Sequence, residues 1–344
     1  MSDSSKSGKP PAPKSRLRRL LQNLVLAGIT FIICLGLFEI VLRIAGYGNL
    51  EIYQPDEKLY WRLKPNQDCY TKIDHKPVHI NSHGTRGPEF NPAKPPGTFR
   101  VLSLGDSRTF GWGLTDEETY SRRLEQLLKA QMGQQKTVEV INAGVNAWSY
   151  PQMLVFYRDF AAKWQPDLVL LGEANLWTQF SEQNSPEFVK KFLWRVRLKN
   201  LLRHFAIYHF VVEVQLRSFY ETHRAKFIPV DPQQDTLFKE QQQSDPDAVF
   251  RNAIEGVCTT ARTNNAQMLL VFIPTGENFQ ATNESRGLTI KRAVASKLNV
   301  PLVDLTAAIA PEGRALYLEA DPVHLNVRGN EIMAQQIFAA LTNH

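Results

Sequence analysis

Cysteine is scarce in this chain. The three that occur, Cys34, Cys69 and Cys258, form no CxxC pair and no zinc-type spacing. Net positive charge is also scarce once the first twenty residues are set aside. The formal charge is +6, and Lys6, Lys9, Lys14, Arg16, Arg18 and Arg19 against Asp3 alone supply +5 of it. The remainder is nearly neutral, so the basic balance is no sign of nucleic-acid binding, and no nucleic-acid partner is expected. No small-x-small site follows the apolar N-terminal run, and Ile33 before Cys34 is a poor fit to a lipoprotein cleavage site. Both absences disfavour a cleaved export signal. A histidine set placed to hold a metal is missing too. His75, His79 and His83 recur every four residues, but Pro77 breaks any helix there, and on a strand the rings would stand about 13 Å apart.

Residues 1–15, rich in Ser, Pro and Lys, are expected to be disordered. From Leu20 to Ile44 the chain is apolar, interrupted by Gln22, Asn23, Glu39 and Arg43. With its flanks, this run reaches the roughly 20 residues a bilayer needs. Glu39 and Arg43 stand one helical turn apart and can neutralise each other near the interface. The basic cluster before the run predicts a cytoplasmic tail over 1–19, a transmembrane anchor over 20–44 and an extracytoplasmic (periplasmic) remainder. A buried core helix is the alternative. An oxidising compartment would let Cys69 and Cys258 pair, though nothing in their spacing requires it.

Residues 45–98 carry many Pro, Asn and Gly and no long periodic segment, which predicts an irregular stalk or collar. From there strand-like and helix-like runs alternate. Arg100–Gly105, Val138–Gly144, Leu168–Gly172, Gln267–Pro274 and Val300–Leu305 read as strands. Glu118–Gln131, Pro151–Lys163, Asp247–Thr263, Ser285–Leu298 and Val327–Leu341 read as helices, with Thr115 and Glu118 spaced as a capping box. The alternation predicts a parallel sheet covered on both faces. Residues 178–245 interrupt it; the basic, amphipathic, aromatic stretch from Phe188 to Phe227 predicts a helical cap over the sheet edge. That stretch could also touch the outer membrane surface.

Chemistry-bearing residues cluster at the predicted strand ends. The first strand runs into Gly105-Asp106-Ser107, the second into Asn142-Ala143-Gly144 and the third into Gly172-Glu173-Ala174-Asn175. Asp321-Pro322-Val323-His324 precedes the last helix. Ligands of open α/β sheets bind at that carboxyl edge. Singly, each block is an ordinary turn or cap. His204, His209 and His223 fall in the insertion and read as packing or surface residues.

Together these four ordered blocks resemble the SGNH or GDSL-type hydrolase family over residues 99–344. LGDSRTFGWG, VINAGVN and DPVHLN are similar to membrane-anchored bacterial members, as are the apolar N-terminus and HINSHGTRGPEF. The resemblance implies a three-layer α/β/α, flavodoxin-like catalytic domain over 99–344. It implies Ser107 as nucleophile, His324 as general base and Asp321 as its carboxylate partner; Asp304 is the competing acid and reads as a helix cap by position. The implied oxyanion donors are the N–H groups of Ser107 and Gly144 and the Asn175 amide. Asn142 reads as a strand-end brace. Leu176, where the family usually has Asp, and Arg108, where many members carry a smaller residue, depart from the pattern.

The implied reaction is acyl transfer through an acyl-serine, with no metal or organic cofactor. The expected substrate is an O-acyl, notably O-acetyl, ester on envelope or secreted polysaccharide. The alternatives are an O-acyltransferase working with a membrane acyltransferase partner, a lipase or thioesterase, and a non-catalytic glycan-binding protein.

Overall fold

The computed structural model describes residues 16–71, 75–133, 135–176, 180, 184–216, 246–276, 285–319 and 321–342. The N-terminal apolar run forms α1 (Arg16–Ile44), 29 residues with only Leu42 buried. At about 1.5 Å per residue it reaches roughly 44 Å. Among the described residues it is the one helix long and apolar enough to cross a membrane. Glu39 and Arg43 do pair, at 2.7 Å.

The stretch after α1 is not an irregular stalk. It folds into two antiparallel hairpins, β1 (Tyr53–Asp56) with β2 (Tyr60–Leu63), and β3 (Gln67–Tyr70) with β4 (Pro77–Ile80). Leu59, Leu63 and Ile80 are fully buried in the main core. Each such side chain is worth about 1.5–3 kcal/mol, which ties the segment to the domain. Two indole hydrogen bonds tie β2 to the loop after Gly144: Trp61 Nε1 donates to the Asn146 carbonyl at 3.0 Å, and Trp148 Nε1 to that of Trp61 at 2.9 Å. Four-residue strands are too short to show a period, so composition alone reads them as loop.

The central sheet follows. β5 (Thr98–Gly105) leads into α2 (Ser107–Phe110) and α3 (Tyr120–Met132), then β6 (Thr137–Gly144), α4 (Tyr150–Phe156) and β7 (Leu168–Leu171). The cap consists of α5 (Pro186–Arg203), α6 (Ala206–Tyr208) and π-helical turns over His209–Leu216. After it come α7 (Pro246–Thr263), β8 (Gln267–Phe272), α8 (Arg286–Leu298), β9 (Leu302–Asp304) and α9 (Thr306–Ile309). A short hairpin, β10 (Tyr317–Leu318) with β11 (Asp321–Leu325), leads to α10 (Val327–Thr342). The five strands of the central sheet are all parallel in the order β6-β5-β7-β8-β9, the flavodoxin-like order.

Neighbouring strand residues face opposite layers. Val101, Val140 and Leu170 pack with α3 and α10, whereas Leu102, Ile141 and Val169 pack with α4, α7 and the hairpins. Two details differ from expectation. The Thr115–Glu118 capping box closes a 3-10 turn, and α3 starts later, at Tyr120, on a Thr119 cap. The helix expected over Pro151–Lys163 widens into a π turn at Tyr157–Ala161 and ends in a 3-10 turn. All three cysteines are free, so Cys69 and Cys258 do not pair. Burial pushes their thiols up to about 12 and about 11. The basic tail before Arg16 and the insertion residues 217–245, including His223, lie outside the described residues.

Candidate active site

β5 ends at Gly105 because the next turn needs the space a Cβ would take. A Cβ there would come within 2.0 Å of Thr109 Oγ1. Asp106 then caps α2, its carboxylate accepting from the Arg108 N–H at 2.9 Å. Gly111, left-handed at φ 87°, closes the turn by donating its N–H to the Ser107 carbonyl. Arg86, from the stretch before the domain, is buried and donates to the carbonyls of Phe110, Gly111 and Leu114 while pairing with Asp116 at 2.6 Å. These contacts hold Ser107 at the first position of its helix.

His324 arrives on β11, 217 residues downstream, and its Nε2 lies 2.7 Å from Ser107 Oγ. Nδ1 of the same ring lies 2.6 Å from Asp321 Oδ2. A carboxylate only accepts, so the proton sits on Nδ1 and the Nε2 lone pair faces the serine hydroxyl. Asp321 is held in place by the N–H groups of Val323 at 2.8 Å and His324 at 3.3 Å, both donating to Oδ1. Burial pushes this carboxyl up, but those hydrogen bonds and the imidazole outweigh it, leaving its pKa below the usual carboxylate value. Trp112 stacks beside the imidazole, ring centres 5.8 Å apart and planes 25° apart. Asp304, the competing acid, is committed elsewhere. It accepts from the Thr306 N–H and hydroxyl and pairs with Arg292.

Asn175 lies in the same cleft as Ser107 and His324, its own N–H donating to the Trp148 carbonyl at 2.9 Å. Gly144 does not. Its N–H donates to Asn142 Oδ1 at 3.0 Å, and a Cβ on it would meet Phe110 N at 2.2 Å. It is a glycine so that β6 can back directly onto α2, which corrects its expected place as an oxyanion donor. Asn142 is the brace expected of it, donating also to the Thr109 carbonyl at 2.9 Å. The residue that lines the cleft from this loop is Ala147, in the left-handed region at φ 66°. Its N–H has no acceptor among the described residues. An alanine carries no chemical signature, so no sequence signal marks it.

The cleft measures about 470 Å³. Its walls come from the hairpins (Tyr53, Trp61), from Trp112 and Phe180, and from the inner face of α5 (Phe192, Val196). The cap expected over 178–245 is therefore present in its described part. Trp61, Phe180 and Phe192 pack mutually, with ring centres 4.8 to 5.5 Å apart.

Beneath the site lies a set of buried charges. Lys291, from α8, pairs with Glu173 at 2.5 Å and donates to the Val271 carbonyl. Glu173 also accepts from the Ile273 N–H at 3.2 Å, and its carbonyl accepts from the Asp106 N–H at 2.9 Å. Arg108 pairs with Asp106 at 2.6 Å and reaches the Ala174 carbonyl. Burial drives the Lys291 ammonium pKa down, more than Glu173 restores it. Burial also pushes the Asp106 carboxyl up, but Arg108 outweighs it and holds the pKa low. Arg108, a departure from the family pattern, is thus the counterion of the helix cap. The histidines of the collar go to separate neighbourhoods: His75 stacks on Tyr70, His79 pairs with Asp68 and His83 packs on Phe90.

The 2-1-3-4-5 parallel sheet, with helices on both faces and polar side chains gathered at its carboxyl edge, is a three-layer α/β fold. The model of the GDSL-like lipase/acylhydrolase family matches residues 103–332, and the chain belongs to that family. No curated protein sequence matches it. Among solved structures, the chain is similar to the acetyl xylan esterase AlAXEase at 20% identity, covering 71% of this chain and 100% of that one with a TM-score of 0.44. It is similar to TesA at 14% identity, covering 71% and 98% with a TM-score of 0.43. A catalytic mutant of Axe2, an acetylxylan esterase from Geobacillus stearothermophilus, aligns at 15% identity over 71% and 94% with a TM-score of 0.43.

Proposed function

We propose that this ester hydrolase is a membrane-anchored serine esterase that works outside the cytoplasm, with Ser107 as nucleophile, His324 as general base and Asp321 as the carboxylate that orients it. The observation that carries this reading is the unbroken hydrogen-bond path from Ser107 Oγ through His324 to Asp321, with links of 2.7 and 2.6 Å. A serine hydroxyl is a weak nucleophile until a base takes its proton. His324 Nε2 receives that proton as Oγ attacks the ester carbonyl, and Asp321 stabilises the imidazolium that forms. The N–H groups of Ser107 and Ala147 and the Asn175 side-chain amide receive the developing oxyanion. The imidazolium then protonates the departing alcohol. Water, activated by the same imidazole, releases the acid from the acyl-serine.

The aromatic walls of Trp61, Trp112, Phe180 and Phe192 suit the faces of sugar rings, which favours an O-acyl, notably O-acetyl, glycan as the ester-bearing substrate. Because Tyr53 and Trp61 line the cleft, the catalytic unit includes the hairpins and does not begin at residue 99. Arg16, Arg18 and Arg19 at the start of α1 favour a cytoplasmic N-terminus.

Fluorophosphonate labelling tests the assignment, since only an activated serine reacts readily. Labelling is expected to vanish in Ser107→Ala and to fall strongly in His324→Ala. Undiminished labelling of Ser107→Ala would place the nucleophile elsewhere.

A further inference from the structure

We infer that the outer face of α5, with the helical turns after it, lies on the surface of the bilayer that α1 crosses, and so holds the cleft at the headgroups. The inference rests on reading α1 as a membrane span. α5 is apolar on two opposite faces. Phe192, Leu193 and Val196 face the core and the cleft. On the other side Trp194, Leu198 and Leu201 recur at helical spacing and are 60%, 41% and 58% exposed, and Leu202 and Phe205 extend the stripe at 39% and 48%. A soluble protein does not ordinarily leave so continuous a stripe of large apolar side chains in water.

Charge around the stripe matches a lipid surface. Lys190 and Arg197 flank it on one side and Lys191 and Arg195 on the other, all exposed, whereas Glu187 is the one acid in the helix. Apolar residues bordered by basic ones are the pattern of a helix lying in the interface of an anionic membrane.

The occupant is identified by where the stripe is held. Glu39, in α1, accepts from the N–H groups of Ala206 at 2.9 Å and Ile207 at 3.0 Å, and Arg43 donates to the His204 carbonyl at 2.5 Å. Phe38 meets Phe210 edge to face at 6.3 Å, and the Gly48 N–H donates to His209 Nδ1 at 2.9 Å. Glu39 is five residues short of the end of α1, about 8 Å along the axis. The residue that caps α5, His204, and the turns after it are thus fastened to α1 at the depth where a spanning helix leaves the hydrocarbon. Val211 and Leu216, 38% and 55% exposed, prolong the apolar surface at that level. Since the inner face of α5 walls the cleft, that wall would stand about one helix diameter, some 10 Å, from the headgroups.

Bromolipid quenching of Trp194 tests this. The full-length protein is reconstituted into phosphatidylcholine vesicles containing phosphatidylglycerol, with and without brominated acyl chains. The emission lost in Trp194→Phe isolates the signal of this one indole. That signal is expected to be quenched by brominated lipid and spared by aqueous iodide, and Leu198→Glu is expected to weaken the lipid quenching. Quenching by iodide alone would place the face in water. Quenching by neither would mean that another part of the chain or a partner covers it. Either result overturns the inference. Carbonate-resistant flotation with the vesicles reads α1 independently. Loss of flotation in the wild type would overturn the span and the docking together, whereas intact flotation without lipid quenching overturns the docking alone.

Discussion

Lys291→Met is the sharpest probe of how the buried charges support the site. Lys291 has no exposed side-chain surface and its partner Glu173 only 5%. Truncating one member of such a pair strands the other as an unpaired buried charge, at a cost of about 3–5 kcal/mol. At roughly 2–4 °C per kcal/mol, that predicts a fall in Tm of about 6–20 °C. Glu173 stands two residues before Asn175, and its carbonyl holds the N–H of Asp106, the residue before Ser107. Turnover per folded molecule is therefore expected to fall as well, because the stranded carboxylate drags this loop towards water. Adding Glu173→Gln removes the orphan charge while keeping an acceptor for the Ile273 N–H, so the double variant should recover most of the lost stability. Thermal melts in detergent, with active sites titrated by fluorophosphonate, measure both effects. A single variant that loses less than about 1 kcal/mol, or a double variant no better than the single, would refute the reasoning.

Asn175→Ala should lower kcat about 10²–10³-fold with KM little changed, because the amide contact strengthens only as the carbonyl becomes tetrahedral. A normal kcat with a lower Tm would instead make Asn175 a turn residue. Gly144→Ala keeps its N–H but drives a Cβ to 2.2 Å from Phe110 N, so Tm and turnover should fall together, by about 1–3 kcal/mol or more in stability. An unchanged Tm would refute the close packing of Gly144 against α2. Asp106 and Asp321 both have folded pKa values below the usual carboxylate value, so their contribution is present above about pH 4 and is lost as pH falls through the folded values. Asp106→Asn should therefore flatten the fall in Tm between about pH 5 and pH 2. A fall as steep as in the wild type would mean that Asp106 adds nothing there.

Much of this architecture is local and can be read directly. Five apolar runs alternating with helical periods specify a parallel sheet, and α1 shows itself as a single apolar run. The strand-end blocks of Ser107, Asn175 and His324 stand out because hydroxyl, amide and imidazole groups carry chemistry wherever they lie. What cannot be read is distance. Ser107 and His324 are 217 residues apart, and only the return of β11 to the edge of the sheet brings their side chains to 2.7 Å. The hairpins of residues 53–80 escape notice because four-residue strands show no period, and it is burial of Leu59, Leu63 and Ile80 that makes them part of the domain. Gly144 and Ala147 illustrate the same limit at atomic scale. A glycine at a strand end suggests open backbone, yet this one is closed against α2, while the left-handed turn facing the cleft falls on an alanine. The amino-acid types determine which chemistry is available and which faces are apolar. Packing alone determines which N–H is left unpaired and which face of α5 is left uncovered among the described residues, because both depend on neighbours that are remote in the chain.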